Sequence, residues 1–132
     1  MSSLFSKIIS GEIPSFKVAE SEHFYAFLDI NPVVTGHTLV VPKKETDYIF
    51  DIDSEEYKSL FAFARDVAKG IKSAIPCKRV GIAVIGLEVP HAHIHLIPLN
   101  SESDLDFGRR VVRPDTETMK KTAEAIRLKI EL

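Results

Sequence analysis

The sequence predicts an α+β fold: an antiparallel sheet of about five strands, one main helix and short terminal helices. Three observations carry this. Five short β-prone runs stand between turn residues, most of them joined by short links. One long segment, Asp53 to Pro76, has apolar residues at three- and four-residue steps. Helical and strand patterns do not alternate, so helices are expected on one side of the sheet.

Taken in order, Leu4, Phe5, Ile8 and Ile9 make an amphipathic turn of helix behind a Ser2-Ser3 cap, and Gly11 and Pro14 end it. Phe16 to Glu20 and Phe24 to Ile30 read as strands around a polar turn at Ser21-Glu22. Asn31-Pro32 opens a loop that runs to Gly36. Thr38 to Val41 is a β-branched run stopped by Pro42. Asp53-Ser54-Glu55-Glu56 starts the main helix, with acids in the first turn to suit the helix dipole. Leu60, Phe61, Ala64, Val67, Ala68 and Ile71 form its apolar face. Val80 to Ile85 is a strand, Gly86 a turn, and His91 to Leu99 a further strand. Asn100 to Pro114 is polar and reads as a long loop of the kind that carries function. Asp115-Thr116-Glu117 caps a last helix with Met119, Ala123, Ile126 and Ile130 on one face. Residues 1–110 are expected to form one domain, with 111–132 a helical extension packed on it.

The bulk numbers narrow the function classes. A chain of 132 residues suits one compact unit. A net charge of −2 gives no general pull toward nucleic acid or anionic membrane. The basic pairs Lys43-Lys44 and Arg109-Arg110 are too short to make a patch. Neither a nucleic-acid nor a membrane partner is expected. The single cysteine, Cys77, allows no intramolecular disulfide and no multi-cysteine zinc site. With no apolar run of about 18 residues and no secretory leader pattern, the expected location is the cytoplasm.

Five histidines occur, three of them at positions 91, 93 and 95. Alternation along a strand would put His91, His93 and His95 on one face, about 7 Å apart, with Ala92, Ile94 and Leu96 toward the core. One reading is a polar strand face without chemistry. A second is metal binding, completed by Glu88, Asp29 or His37. A third is covalent catalysis, since a neutral imidazole attacks phosphorus near neutral pH and leaves again readily.

The segment His91-Ala92-His93-Ile94-His95-Leu96-Ile97 resembles the His-φ-His-φ-His-φ-φ motif of the histidine triad superfamily, where φ is apolar. The resemblance extends upstream. Leu4 to Pro14 is similar to the N-terminal helix of the Hint branch, and Phe27 to Pro32 with Gly36 to Lys43 is similar to its second block. It implies an enzyme that cleaves a purine nucleotide, such as a nucleoside phosphoramidate, at the α-phosphorus through a nucleotidyl-histidine. His93 would be the nucleophile. His95 would contact phosphate oxygens and assist proton transfer. His91 and His37 would hold the nucleophile's orientation. Asp29 would accept from the ribose hydroxyls. Leu4, Phe5, Ile8, Phe27 and Ile30 would form the base slot, with Glu88 and Val89 beside the bound nucleotide. Where Hint proteins usually carry an Asn-x-Gly loop and Gly-Gln-Ser/Thr-Val, this chain has Leu87 and Glu88 at the Gln and Ser/Thr positions. The resemblance further implies a homodimer formed through the main helix and a sheet edge. No cofactor and no metal are expected. A binding or signalling module with little turnover is the alternative of a different class.

Overall fold

The computed structural model describes residues 2–111 and 113–131, so Met1, Val112 and Leu132 of the expected 1–110 and 111–132 units lie outside the described residues. Helix α1 spans Leu4–Ser10 and helix α2 Ser54–Ala74. Helix α3 spans Thr116–Arg127. Five strands, β1 Lys17–Glu20, β2 Phe24–Leu28, β3 Thr38–Pro42, β4 Arg79–Ala83 and β5 Ile94–Leu99, form one sheet. Its order is β1-β2-β3-β5-β4, with every pair antiparallel. The predicted α+β class and five-stranded antiparallel sheet are thus the observed ones.

Each helix start is made by a short polar side chain. The Ser3, Asp53 and Asp115 side chains accept from the main-chain N–H of Ser6, Glu56 and Thr118. Gly11 ends α1 at φ 87°, its N–H returned to the Ile8 carbonyl.

One expectation changes. The helices do not all lie on one side. Phe24, Ala26 and Leu28 of β2 join the core under α2 and α3, with Val40, Ile94, Leu60, Val67 and Ile126. The alternate residues Tyr25 and Phe27 face the other way, where α1 covers them with Phe5 and Ile8. This is why β2 and β3 are buried along their whole length. His95 sits opposite Leu39 in the ladder, so it emerges on the α1 face beside Phe27 and Phe5.

The strand expected from His91 starts three residues later, at Ile94. The His91 N–H turns back to the Val89 carbonyl and the Ala92 N–H goes to Thr46. These bonds take the backbone out of the ladder, so His91 and His93 stand on an irregular segment ahead of β5. Gly36, just before His37, has φ 94°, and a Cβ there would meet Ile75 at 3.1 Å and Pro98 at 3.2 Å. Gly36→Ala should therefore destabilise the protein by about 1–3 kcal/mol, read as a lower urea midpoint at unchanged m-value. An unaltered midpoint would mean that the backbone relaxes out of the left-handed region.

Candidate active site

Three pieces of chain meet at the histidines. β5 supplies His95, the segment before it supplies His91 and His93, and the end of the β2–β3 hairpin supplies Asp29 and His37. All four imidazoles are buried, His37 and His91 completely. His93 lies between Phe5 and His95, with ring centroids 4.9 Å from each.

Main-chain groups fix where the ring protons sit, because an N–H can only donate and a carbonyl can only accept. The Val33 N–H donates to His37 Nδ1 at 3.1 Å. His37 therefore carries its proton on Nε2, which donates to His95 Nδ1 at 2.9 Å. That leaves His95 with Nε2–H, a donor with no acceptor among the described residues. His93 Nδ1 donates to the His91 carbonyl at 2.9 Å, so its Nε2 carries a bare lone pair. A lone pair and an N–H donor thus stand side by side.

Burial keeps these rings neutral. It holds His37 down to about 3, helped by the positive charge of Arg110. It holds His95 down to about 3, reinforced by His93 and His37. His93 is lowered too, again chiefly by burial and against the opposing pull of its bond to the His91 carbonyl.

The expected orienting contacts are distributed differently from the reading above. His91 meets His93 through its carbonyl, not its ring, and the His37 ring meets His95. Asp29 Oδ1 accepts from the Asn31 N–H at 2.8 Å, the turn expected of an acid before Asn-Pro. Its Oδ2 remains, 3.7 Å from His37 Nε2. Phe5 and Phe27 meet edge to face at 5.6 Å, with Ile8 beside them and Val89 packed on the same cluster. Leu4 and Ile30 are 46% and 40% exposed, a solvent-side rim rather than core. Glu88 is exposed, and Leu87 is 88% exposed, so the segment before the triad lends no buried polar group.

Three residues were missed by sequence reasoning. Phe107 rests on His95 at 4.8 Å and on His37 at 6.1 Å. Arg110 lies over Phe107 at 5.4 Å, donates to the Asn31 carbonyl at 2.8 Å and lies 3.4 Å from Asp29 Oδ2. Ser3 reaches His91 Nδ1 at 2.7 Å. For Phe107 and Arg110 the one available signal was the length of the polar stretch after Asn100, and for Ser3 it was its place as a helix cap. A cavity of about 320 Å³ opens beside His93, walled by Tyr48, Phe50, Tyr57, Phe61 and Ile85.

Among the described residues, Asp29, His37 and His95 offer ligand atoms within 4.8 Å of one another, the one cluster with the composition of a metal site. The 2.9 Å contact between His37 and His95 is nevertheless a hydrogen bond. Two nitrogens about 2.0–2.1 Å from a shared tetrahedral zinc would stand farther apart.

A family model described as the HIT domain matches residues 10–102. The chain is 35% identical over 130 residues to an adenosine 5'-monophosphoramidase of Saccharomyces cerevisiae, covering 97% of this chain and 82% of that one. It is 33% identical over 134 residues to the adenosine 5'-monophosphoramidase of Schizosaccharomyces pombe, covering 99% and 100%. Among solved structures, a Hit-like protein involved in cell-cycle regulation from Bartonella henselae superposes with a TM-score of 0.86 at 30% identity, covering 98% and 96%.

The buried neutral rings set the acid response. An unfolded imidazole titrates near about 6.5, whereas folded His37 and His95 titrate near 3. The unfolded chain binds more protons in between, so stability is full above about pH 6.5 and falls as pH drops toward 3. Ring titration by NMR should show His37 and His95 still unprotonated at pH 5. A value near 6.5 for either would contradict the buried neutral pair.

Proposed function

The chain belongs to the histidine triad (HIT) family, and on that footing we propose that it is a nucleotide hydrolase acting at the α-phosphorus of a nucleoside phosphoramidate. The observation that carries this reading is the tautomer of His93, whose Nε2 lone pair is bare while Nδ1 is tied to the His91 carbonyl. Nε2 attacks phosphorus, the P–N bond breaks, and the departing nitrogen takes a proton from solvent to leave as an amine. His93 is then a cationic nucleotidyl-imidazolium, and the His91 carbonyl facing its Nδ1–H favours that charge. The Nε2–H of His95 hydrogen-bonds the phosphate oxygens. Water attacks the same phosphorus and loses a proton to solvent, the P–Nε2 bond breaks, and the nucleoside monophosphate leaves with His93 restored as the neutral ring.

In this reading the base enters the slot of Phe5, Ile8, Phe27 and Val89, rimmed by Leu4 and Ile30, with Glu88 at its mouth. Asp29 Oδ2 takes a ribose hydroxyl. The activity of the two yeast relatives, each named an adenosine 5'-monophosphoramidase, supports a purine nucleotide as substrate. A second reading, binding with little turnover, draws on exposed Leu87 and Glu88 at the expected phosphate-contact positions.

Incubation with adenosine 5'-phosphoramidate should release AMP. His93→Ala should lower kcat/KM by at least about 10³-fold with an unchanged circular dichroism spectrum. Rapid quenching of the wild type should trap an adenylyl adduct on His93. Binding without AMP release would favour the second reading, and activity lost on chelation would make the histidines metal ligands instead.

We also read α2 together with the open edge of β4, where Ile82 and, just beyond the strand, Ile85 are exposed, as the contact for a second copy. Sedimentation should give a dimer, and Ile82→Asp a monomer. A monomeric wild type at micromolar concentration removes that part of the proposal.

A further inference from the structure

His91 is buried completely, yet no role at the phosphorus falls to its ring. Both ring nitrogens are occupied. Nε2 lies 2.7 Å from the Pro42 carbonyl, which can only accept, so Nε2 carries a proton. Nδ1 lies 2.7 Å from Ser3 Oγ. In a neutral ring Nδ1 accepts, and the Ser3 hydroxyl is its donor, since this contact is much shorter than the 3.3 Å from Ser3 Oγ to Ser6 Oγ. Ser3 is itself held. Its main-chain N–H and the Ser6 hydroxyl both donate to Glu45 Oε1 at 2.7 Å, and its Oγ accepts from the Ser6 N–H at 3.0 Å. These bonds hold the Glu45 carboxyl down to about 2, the Ser3 N–H first among them, so the anchor is ionised at neutral pH.

A serine at a helix start needs only to accept from the helix. Donating to a buried imidazole 88 positions away is no part of capping. The His91 carbonyl, in turn, holds His93 Nδ1–H, and residues 91–93 lie outside the sheet ladder. The ring of His91 is thus a peg between α1 and the end of β3 that sets where that carbonyl points. The same α1 carries Phe5, whose ring touches both His91 and His93.

We propose that Ser3, backed by Glu45, is a positioning residue: through His91 it fixes the tautomer and place of His93 and registers the base slot of α1 with the nucleophile. The catalytic half of this rests on the reading of His93 given above. The ring-tautomer half does not.

The test uses the full chain as wild type, Ser3→Ala, Ser3→Thr and Glu45→Ala. Nitrogen-15 spectra of the histidine rings should show His91 protonated on Nε2 and His93 on Nδ1 in the wild type and in Ser3→Thr. Ser3→Ala should leave His91 on Nε2, which the Pro42 carbonyl holds, and give mixed tautomers at His93, whose carbonyl partner is no longer aimed. With adenosine 5'-phosphoramidate, kcat of Ser3→Ala should fall about 10- to 100-fold with KM within about twofold, and Ser3→Thr should recover most of it. Glu45 is exposed, so its substitution disturbs no core packing; Glu45→Ala should move both readouts the same way by a smaller factor, and it stands in for Ser3→Ala if that variant does not fold. An unchanged His93 tautomer in Ser3→Ala and Glu45→Ala overturns the proposal. So does a kcat loss that Ser3→Thr leaves unrepaired, since Ser3 would then serve folding alone. If the wild type turns over no nucleotide, the reading of the reaction falls, and the tautomer spectra still decide the role of Ser3.

Discussion

Four imidazoles share one buried cluster, and burial leaves them neutral only if each ring proton faces an acceptor and each bare nitrogen faces a donor or an open site. Main-chain groups enforce this here. The Val33 N–H, the His91 carbonyl and the Pro42 carbonyl each have one possible polarity, and each meets one ring. From those three contacts every other proton direction follows. Among the described residues, the two ring nitrogens of the cluster without a protein partner are Nε2 of His93 and Nε2 of His95, one an acceptor and one a donor. A reacting group needs that complementary pair, and the fold presents it with His37, His93 and His95 all held neutral by burial.

The cluster is possible because the sheet is covered on both faces. β2 gives Phe24, Ala26 and Leu28 to the large core and Tyr25 and Phe27 to the small one. If α1 were absent, Phe27, Leu39 and the ring of His93 would face water, and the desolvation that keeps the imidazoles neutral would weaken. The N-terminal helix is only seven residues long and could not persist alone. Its packing on the sheet through Phe5 and Ile8 holds it, and Ser3 fixes its first turn to Glu45 and His91.

The fold was legible in the sequence where the signal was local. Ser3, Asp53 and Asp115 announced the helix starts, and the three- and four-residue steps from Leu60 to Ile71 announced the face of α2. The histidine motif was legible as chemistry, yet its geometry was not, because the break ahead of Ile94 depends on hydrogen bonds to Thr46 and Val89 that no period reveals. Helices on one side was the wrong inference because α1 is too short for its pattern to say which face it covers. Phe107 was invisible as a lone aromatic in a polar loop. Ser3 was legible as a cap and not as a donor, since one hydroxyl does both and only the distant His91 distinguishes them.

The acid at position 29 has one oxygen engaged in a turn, and the proposed reading gives the other to the nucleotide. Oδ1 is spent on the Asn31 N–H, so any ribose hydroxyl must come to Oδ2. There it meets Arg110, but at 3.4 Å, well beyond the 2.7–2.9 Å typical of a charged pair. The guanidinium's shorter bond, 2.8 Å, goes to the Asn31 carbonyl. Arg110 is partly exposed, and an exposed pair of this kind contributes only about 0–1 kcal/mol. A ribose hydroxyl could take Oδ2 at small cost while Arg110 kept its carbonyl bond and its place over Phe107. In that reading the loop after Asn100 stays against His95 as nucleotide enters, as a wall of the site and not as a plug.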